Sequence, residues 1–343
     1  MNRIMEIDLE PLRNLKNLRY LNLSKNELGW IDLSPLEGCE NLEELYLHDN
    51  KLVLIDLNPL GNLKNLKTLM LDGNYLMKID LGPLAGCENL TLLGLDNNEL
   101  EDMVDLQPLG NLKNLEILSL SHIISLGPDI VEKYLKLDLR PLANCKKLKK
   151  INLSGNNLKE VILAPIENIE YIDLSLNSIR KIDLRPLSNC KKLKQLNLSN
   201  NSLREVILAP IENLRSLDLQ HNYLREIDLS PLTKCKKLTY LDLEDNEFRN
   251  IIFVPIESLE CIDIRLNPLK KIDLSPLAPC KTLEIYAECG IEIVGAKIKS
   301  TERKVILVRE DDWLEEIEYC VYIVYWEEKT NKQPQPQKRK TKP

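Results

Sequence analysis

The chain of 343 residues is 43% hydrophobic but only 5% aromatic, so its core has to be assembled from aliphatic side chains, chiefly Leu and Ile. The formal net charge is −7, and residues 332–343 carry five basic residues and no acid, which leaves −12 on the remainder. An acidic body is a poor match for a phosphate backbone, whose affinity comes from Lys and Arg. No stretch approaches the ~20 apolar residues of a membrane-spanning helix, and residues 1–10 carry acids and no apolar segment, so a cytoplasmic protein with no membrane partner is expected.

From residue 20 onward the segment LxLxxN recurs. Its apolar pairs are Leu21/Leu23, Leu45/Leu47, Leu69/Leu71, Leu93/Leu95, Leu118/Leu120, Ile151/Leu153, Ile172/Leu174, Leu196/Leu198, Leu217/Leu219, Leu241/Leu243 and Ile262/Ile264, eleven predicted strands. Asn follows in register at 26, 50, 74, 98, 156, 177, 201, 222, 246 and 267. On these residues the chain resembles the leucine-rich-repeat superfamily, whose unit is L-x-x-L-x-L-x-x-N-x-L. It is similar to the short intracellular type with units of 21 to 24 residues, which includes phosphatase-regulator-like proteins and prokaryotic and archaeal ones.

The physical reading agrees. The two Leu of LxL point inward and their neighbours outward, while a stacked Asn amide can satisfy backbone groups of adjacent coils. An α/β repeat is expected, a curved solenoid with parallel strands on the concave face and a turn of 3-10 or α-helix on the convex face. The second half of each unit reads I-D-L-x-P-L, as in Ile31 to Leu36. Ser34 is expected to cap a helical turn with Pro at its first position. The recurring Asp8, Asp32, Asp56, Asp80, Asp105, Asp138, Asp183, Asp228 and Asp273 are read as turn residues rather than an acidic constellation.

In chain order, residues 1–123 form a first array whose Asn steps are 24 residues. Residues 124–137 are an insertion, where Ile123 replaces the ladder Asn and 33 residues separate it from Asn156. Residues 138–290 form a second array with Asn steps alternating 21 and 24, a duplicated pair of 45. Residues 291–328 read as a small α/β C-terminal cap, and 329–343 as a disordered basic tail. The N-terminal end carries no visible cap and offers a surface for pairing.

Six Cys share one repeat position, 39, 87, 145, 190, 235 and 280, which Leu15, Leu63 and Leu112 fill elsewhere. A position shared with Leu is buried and apolar, so reduced thiols are expected. No C-x-x-C pair exists and the only His are His48, His122 and His221, so no metal or other cofactor is expected. Motif searches for nucleotide loops, nucleophile elbows and zinc proteases return nothing, and no enzyme is expected.

Strand parity sets the outward residues. Tyr20, Tyr46, His48, Asp72 and Asp96 lie on the concave side of the first array, with Tyr171, Asp173, Asp218, Tyr240, Asp242, Glu244 and Asp263 on that of the second. These are the candidate partner-binding residues, read either as an acidic stripe bordered by Tyr or as the residues that any solvated strand face carries. Lys146-Lys147, Lys191-Lys192 and Lys236-Lys237 line the edge before the strands, either for an acidic partner or, the favoured reading, for solubility. What the resemblance implies is a non-enzymatic scaffold holding a protein or peptide, here one with a basic patch. Regulation of a GTPase or phosphatase, and nucleic-acid association through the basic tail, are the alternatives.

Overall fold

The structure, a computed structural model, describes residues 3–124, 135–280, 282–288, 290–294, 303–308 and 320–322. All eleven LxL segments are short strands of one parallel sheet, beginning with Tyr20–Asn22, Glu44–Tyr46, Thr68–Met70, Leu92–Gly94 and Ile117–Ser119. It continues through Lys150–Asn152, Tyr171–Asp173, Gln195–Asn197, Ser216–Asp218, Tyr240–Asp242 and Cys261–Asp263. Equivalent residues stand opposite one another throughout, for example Leu196 beside both Ile172 and Leu217. From Leu45 to Ile262 the middle residue of every strand is buried, and one continuous aliphatic core runs through the stack. Each such side chain contributes about 1.5–3 kcal/mol by leaving water, but only when the next coil covers it. The result is the curved repeat solenoid that the sequence predicts. Among the described residues no helix is long and apolar enough to cross a membrane.

The strand ends in a bend fixed by two devices. The first is the Asn ladder. Asn50 donates to Leu47 O of its own coil at 3.0 Å and to Leu23 O of the preceding one at 2.9 Å, and its Oδ1 accepts Leu28 N–H at 3.1 Å. Asn74, Asn98, Asn201 and Asn246 repeat this set, so groups that no strand can pair are satisfied across each joint. The second is a left-handed residue immediately before each ladder position, from Lys25 and Asp49 to Asp245 and Leu266, with φ between 49° and 70°. At Gly155 this φ is joined by crowding, since a Cβ there would lie 2.2 Å from His122 Cε1. Where Ile123 interrupts the ladder, its own carbonyl replaces the missing amide oxygen and accepts Leu100 N–H at 2.6 Å.

Among the described residues the convex side carries nine 3-10 turns, such as Ser34–Gly38 and Arg185–Asn189. Their start differs from the expected Ser cap. Ser34 sits inside the turn, Leu33 precedes it, and no side chain of that flanking residue caps. The cap comes from the recurring Asp, because Asp32 Oδ1 accepts Ser34 N–H at 2.8 Å and the other eight Asp do the same two residues on. An Asp at this spacing satisfies the first orphan N–H with a charged acceptor, so a Ser is dispensable, and Gly82, Gln107 and Arg140 occupy its place. The turns end at the Cys column, whose six residues are buried, free thiols. Three of them, Cys87, Cys145 and Cys280, reach a carbonyl of the preceding coil at 3.1–3.2 Å. Burial pushes the Cys87, Cys145 and Cys190 thiols up to about 11.

Leu283–Glu288 is a twelfth parallel strand in register with Cys261–Asp263, and Arg303–Val308 and Cys320–Tyr322 extend the same sheet, the last antiparallel. Leu266 N–H, whose equivalents in the preceding coils donate to a main-chain carbonyl of the next coil, donates here to the Glu288 carboxylate at 2.8 Å. Residue 124 bridges Leu100, and Leu135–Asp138 is a flank strand paired with Leu158–Ile162. The core of the insertion, the segment expected to be helical in the cap, and the basic tail lie outside the described residues.

Candidate functional site

Two columns face the concave side. One runs Tyr171, Gln195, Ser216, Tyr240, Cys261, and the other Asp173, Asn197, Asp218, Asp242, Asp263. Every acid or amide of the second column folds one oxygen back onto the N–H two residues on: Asp173 onto Ser175, Asn197 onto Ser199, Asp218 onto Gln220, Asp242 onto Glu244 and Asp263 onto Arg265, at 2.9–3.1 Å. The column therefore shapes the bend and leaves only the second oxygen for other work.

That second oxygen meets a different partner at each level. Tyr171 donates its hydroxyl to Asp173 at 2.7 Å, and Tyr240 donates to Asp242. These carboxylates, with burial, hold both tyrosines above the usual phenol range. Arg265 grips Asp263 through Nε and Nη2, reaches Glu244 at 3.2 Å, and lies 5.6 Å from the Tyr286 ring centre. Asp218 has no hydroxyl or cation, since Ser216 occupies the Tyr position, and its second oxygen takes only the Gln220 amide at 3.3 Å. Burial, assisted by the neighbouring Asp242 charge, pushes Asp218 up to about 6. Burial likewise raises Asp242 and Glu244.

The first-array candidates form a separate group. Tyr20 and Tyr46 stack with centroids 5.4 Å apart, and Tyr46 turns an edge to His48 at 5.9 Å. Tyr46 donates to Glu44 and is pushed up to about 12 by that bond and by burial. Asp96 is occupied in the scaffold through both oxygens and Asp72 through Oδ1, while Asp72 Oδ2 is buried with no hydrogen-bond partner among the described residues. Asp72 accepts Asp96 N–H at 3.0 Å, and Asp96 accepts Ser121 N–H and the Ser119 hydroxyl, both at 2.7 Å. The Asp72 carboxylate fills the space a side chain would need at Gly94, where a Cβ would sit 2.6 Å from Oδ2.

Two strands, Ile117–Ser119 and Lys150–Asn152, separate the groups, so the twelve candidates do not converge on one site. Seven lie together in the second array. The expected solvated stripe is corrected there, because Asp242 and Asp263 are only 3% and 5% exposed. Asp242, Glu244 and Asp263 do bring ligand-type oxygens within 4.8 Å of one another, but Arg265 already sits among them. Parity had placed Arg265 on this face, though not among the candidates; its spacing of two from Asp263 was the available signal. Tyr286, on the uncounted twelfth strand, had none.

A family model described as "Leucine rich repeat" matches residues 1–52, 40–100 and 212–273, and one described as "BspA type Leucine rich repeat region (6 copies)" matches residues 130–207. No curated protein matches the chain. Among solved structures, the leucine-rich repeat domain of APL1B is similar, with TM-score 0.61 and 20% identity over 81% of this chain and 82% of that one. The functional domain of InlJ from Listeria monocytogenes, whose description includes a cysteine ladder, has TM-score 0.57 and 22% identity over 84% and 67%. These likenesses concern the fold.

Proposed function

The chain belongs to the leucine-rich-repeat superfamily, and from that premise we propose that it is a non-enzymatic interaction module that holds a protein or peptide on its concave face. The fold gives binding of proteins as the general role. The finer reading is that the occupied surface is the second-array row around Asp218 and that the occupant presents Lys or Arg there.

One observation carries this reading. In a row where Asp173, Asp242 and Asp263 are each met by a hydroxyl or a guanidinium, Asp218 is met, among the described residues, by amide donors only, one coil from Tyr240 and two from Tyr171. A half-buried carboxylate whose charge is disfavoured gains most from an incoming cation. Flanking Tyr rings supply amphipathic contact of the kind enriched at interfaces. Asp218→Asn keeps the acceptor for Gln220 and removes the charge. A fluorescein-labelled hexalysine peptide, followed by anisotropy in low salt, is expected to bind the wild type at pH 7.5 and about tenfold more weakly to the variant, the size of one lost charge contact. Binding to the wild type should also fall at pH 5, since a carboxyl near 6 is then protonated. Equal affinity for both proteins at pH 7.5 would remove Asp218 from the site.

A further inference from the structure

The column at the entry to the concave strands alternates in charge. It runs Arg19, Glu43, Lys67, then the neutral Thr91, then Glu116, Lys149, Glu170, Lys194, with Glu43–Lys67, Glu116–Lys149 and Glu170–Lys194 closed as ion pairs across coils. At the next level the alternation breaks. The three equivalent positions of the 45-residue pairs read Glu170, Arg215 and Glu260, so Arg215 places a second cation directly beside Lys194, to whose carbonyl its backbone N–H is bonded at 2.7 Å. Like charges in adjacent register cost stability, and nothing in the fold requires an Arg there.

Around this break the surface opens into a notch of about 230 Å³, lined by Lys191, Lys192, Lys194, Arg215 and Lys237 against a single carboxylate, Glu170. Glu170 is spent on Lys194, and Lys191 is paired with Glu212 at 3.2 Å. Among the described residues, Lys192, Arg215 and Lys237 have no ion-pair partner, and all three are exposed. A row kept only for solubility would have no need to converge on a cavity or to put cation against cation.

We propose that this notch is a docking site for an acidic peptide segment of a partner protein, with two or three Asp or Glu side chains entering between Arg215 and the lysines. The guanidinium offers a planar fork for one carboxylate, and the ammonium groups act as point charges for others. The surroundings select against nucleic acid: the notch has room for a few side chains, and a phosphate backbone continuing from it would run onto the carboxylates of the concave row beside it. Asp218 is not among the residues that line the notch, so the site holds or fails without the concave reading.

The test uses the full chain and a fluorescein-labelled hexaglutamate peptide, with anisotropy read at 50 mM and 300 mM salt. Expected are binding at the lower salt, weakening at the higher, and a loss of about tenfold in both Arg215→Glu and Lys192→Glu. Lys181→Glu, a reversal on the distant flank, should bind like the wild type, as should Asp218→Asn. Circular dichroism confirms that each variant is folded. Hexaglutamate binding unchanged by both notch variants, or reduced equally by Lys181→Glu, overturns the proposal. So does retention of a single-stranded oligonucleotide by a chain that does not bind hexaglutamate.

Discussion

Coils before residue 124 and coils after residue 135 share one core and differ on one flank. The position four residues after the ladder Asn is Trp30 and Leu54 in the first two coils, 63% and 62% exposed, with Val53 and Met77 alongside, and Lys78 and Asp102 in the next two. In the second array it is charged in every coil except at Asn250, and Lys181 pairs with Glu205 at 2.6 Å and Lys271 with Glu292 at 2.8 Å across coils. There the flank also becomes strand, Lys181–Asp183 against Glu205–Ile207 and Lys271–Asp273 against Glu292–Val294. What is common to both arrays is the stacking skeleton, namely the buried Leu columns and Asn ladder with the Asp-capped turns outside them. The difference lies wholly outside, so the stacking skeleton sets the fold and leaves the flank free to change.

The largest effects should therefore come from the shared skeleton. Asn177 accepts from Asn156 and Leu158 N–H and donates to Leu153, Leu174 and Ser175 O, all within 3.1 Å. Asn177→Leu leaves several of these buried groups unpaired and should cost about 3 kcal/mol or more. Asn26, at the half-buried first bend with three such bonds, should cost about 1 kcal/mol on the same change. Urea midpoints decide the matter, and equal shifts would mean that the ladder does not work joint by joint.

A smaller effect is expected from the concave row, and its sign follows from linkage. Asp218 titrates near 6 in the folded chain, against an ordinary value of 3.8. Between these values the folded state holds the proton more tightly than the unfolded one, so stability falls as pH rises through that window. Asp218→Asn removes the penalty. Stability at pH 7.5 should rise by about 1 kcal/mol after allowance for solvent screening, and the gain should vanish near pH 4. A gain that persists at pH 4 would assign it to packing.

The smallest effect tests the flank. Leu54→Glu converts a first-array position to second-array chemistry and should change stability by less than about 0.5 kcal/mol, as should Lys181→Ala. A loss of several kcal/mol at Leu54 would mean that the first-array flank belongs to the skeleton after all.

How far letters alone reach depends on whether a residue's task recurs in every coil. Asn50 and Asp32 do one job at a fixed offset, so their columns disclosed the strand, the bend and the turn. Asp173 and Asp242 were read for the side they face, but parity does not say that one oxygen turns back onto the chain, nor that the next coil and a Tyr enclose the other. Ser34 was given the cap because Ser-Pro is a good helix start, whereas Asp32, already present in each unit, accepts the same N–H with a charged oxygen. Leu283–Glu288 escaped because no Asn follows it in register to mark the bend. The notch at Arg215 exists only where one member of a charge column departs from its two copies, which a reading tuned to repetition passes over.

The 45-residue duplication also turns the surface into a ruler. Neighbouring strands of a sheet lie about 4.8 Å apart, so groups repeated every second coil recur at about 10 Å. Asp173, Asp218 and Asp263 mark one scale of this ruler, and Lys192 and Lys237 mark another along the edge. A ligand in the polyproline II conformation advances about 3.1 Å per residue with three residues per turn, so laid across the coils it would present the same face to equivalent side chains at every third position. Adding or deleting one pair would move the end of the scale and leave the spacing of its marks unchanged.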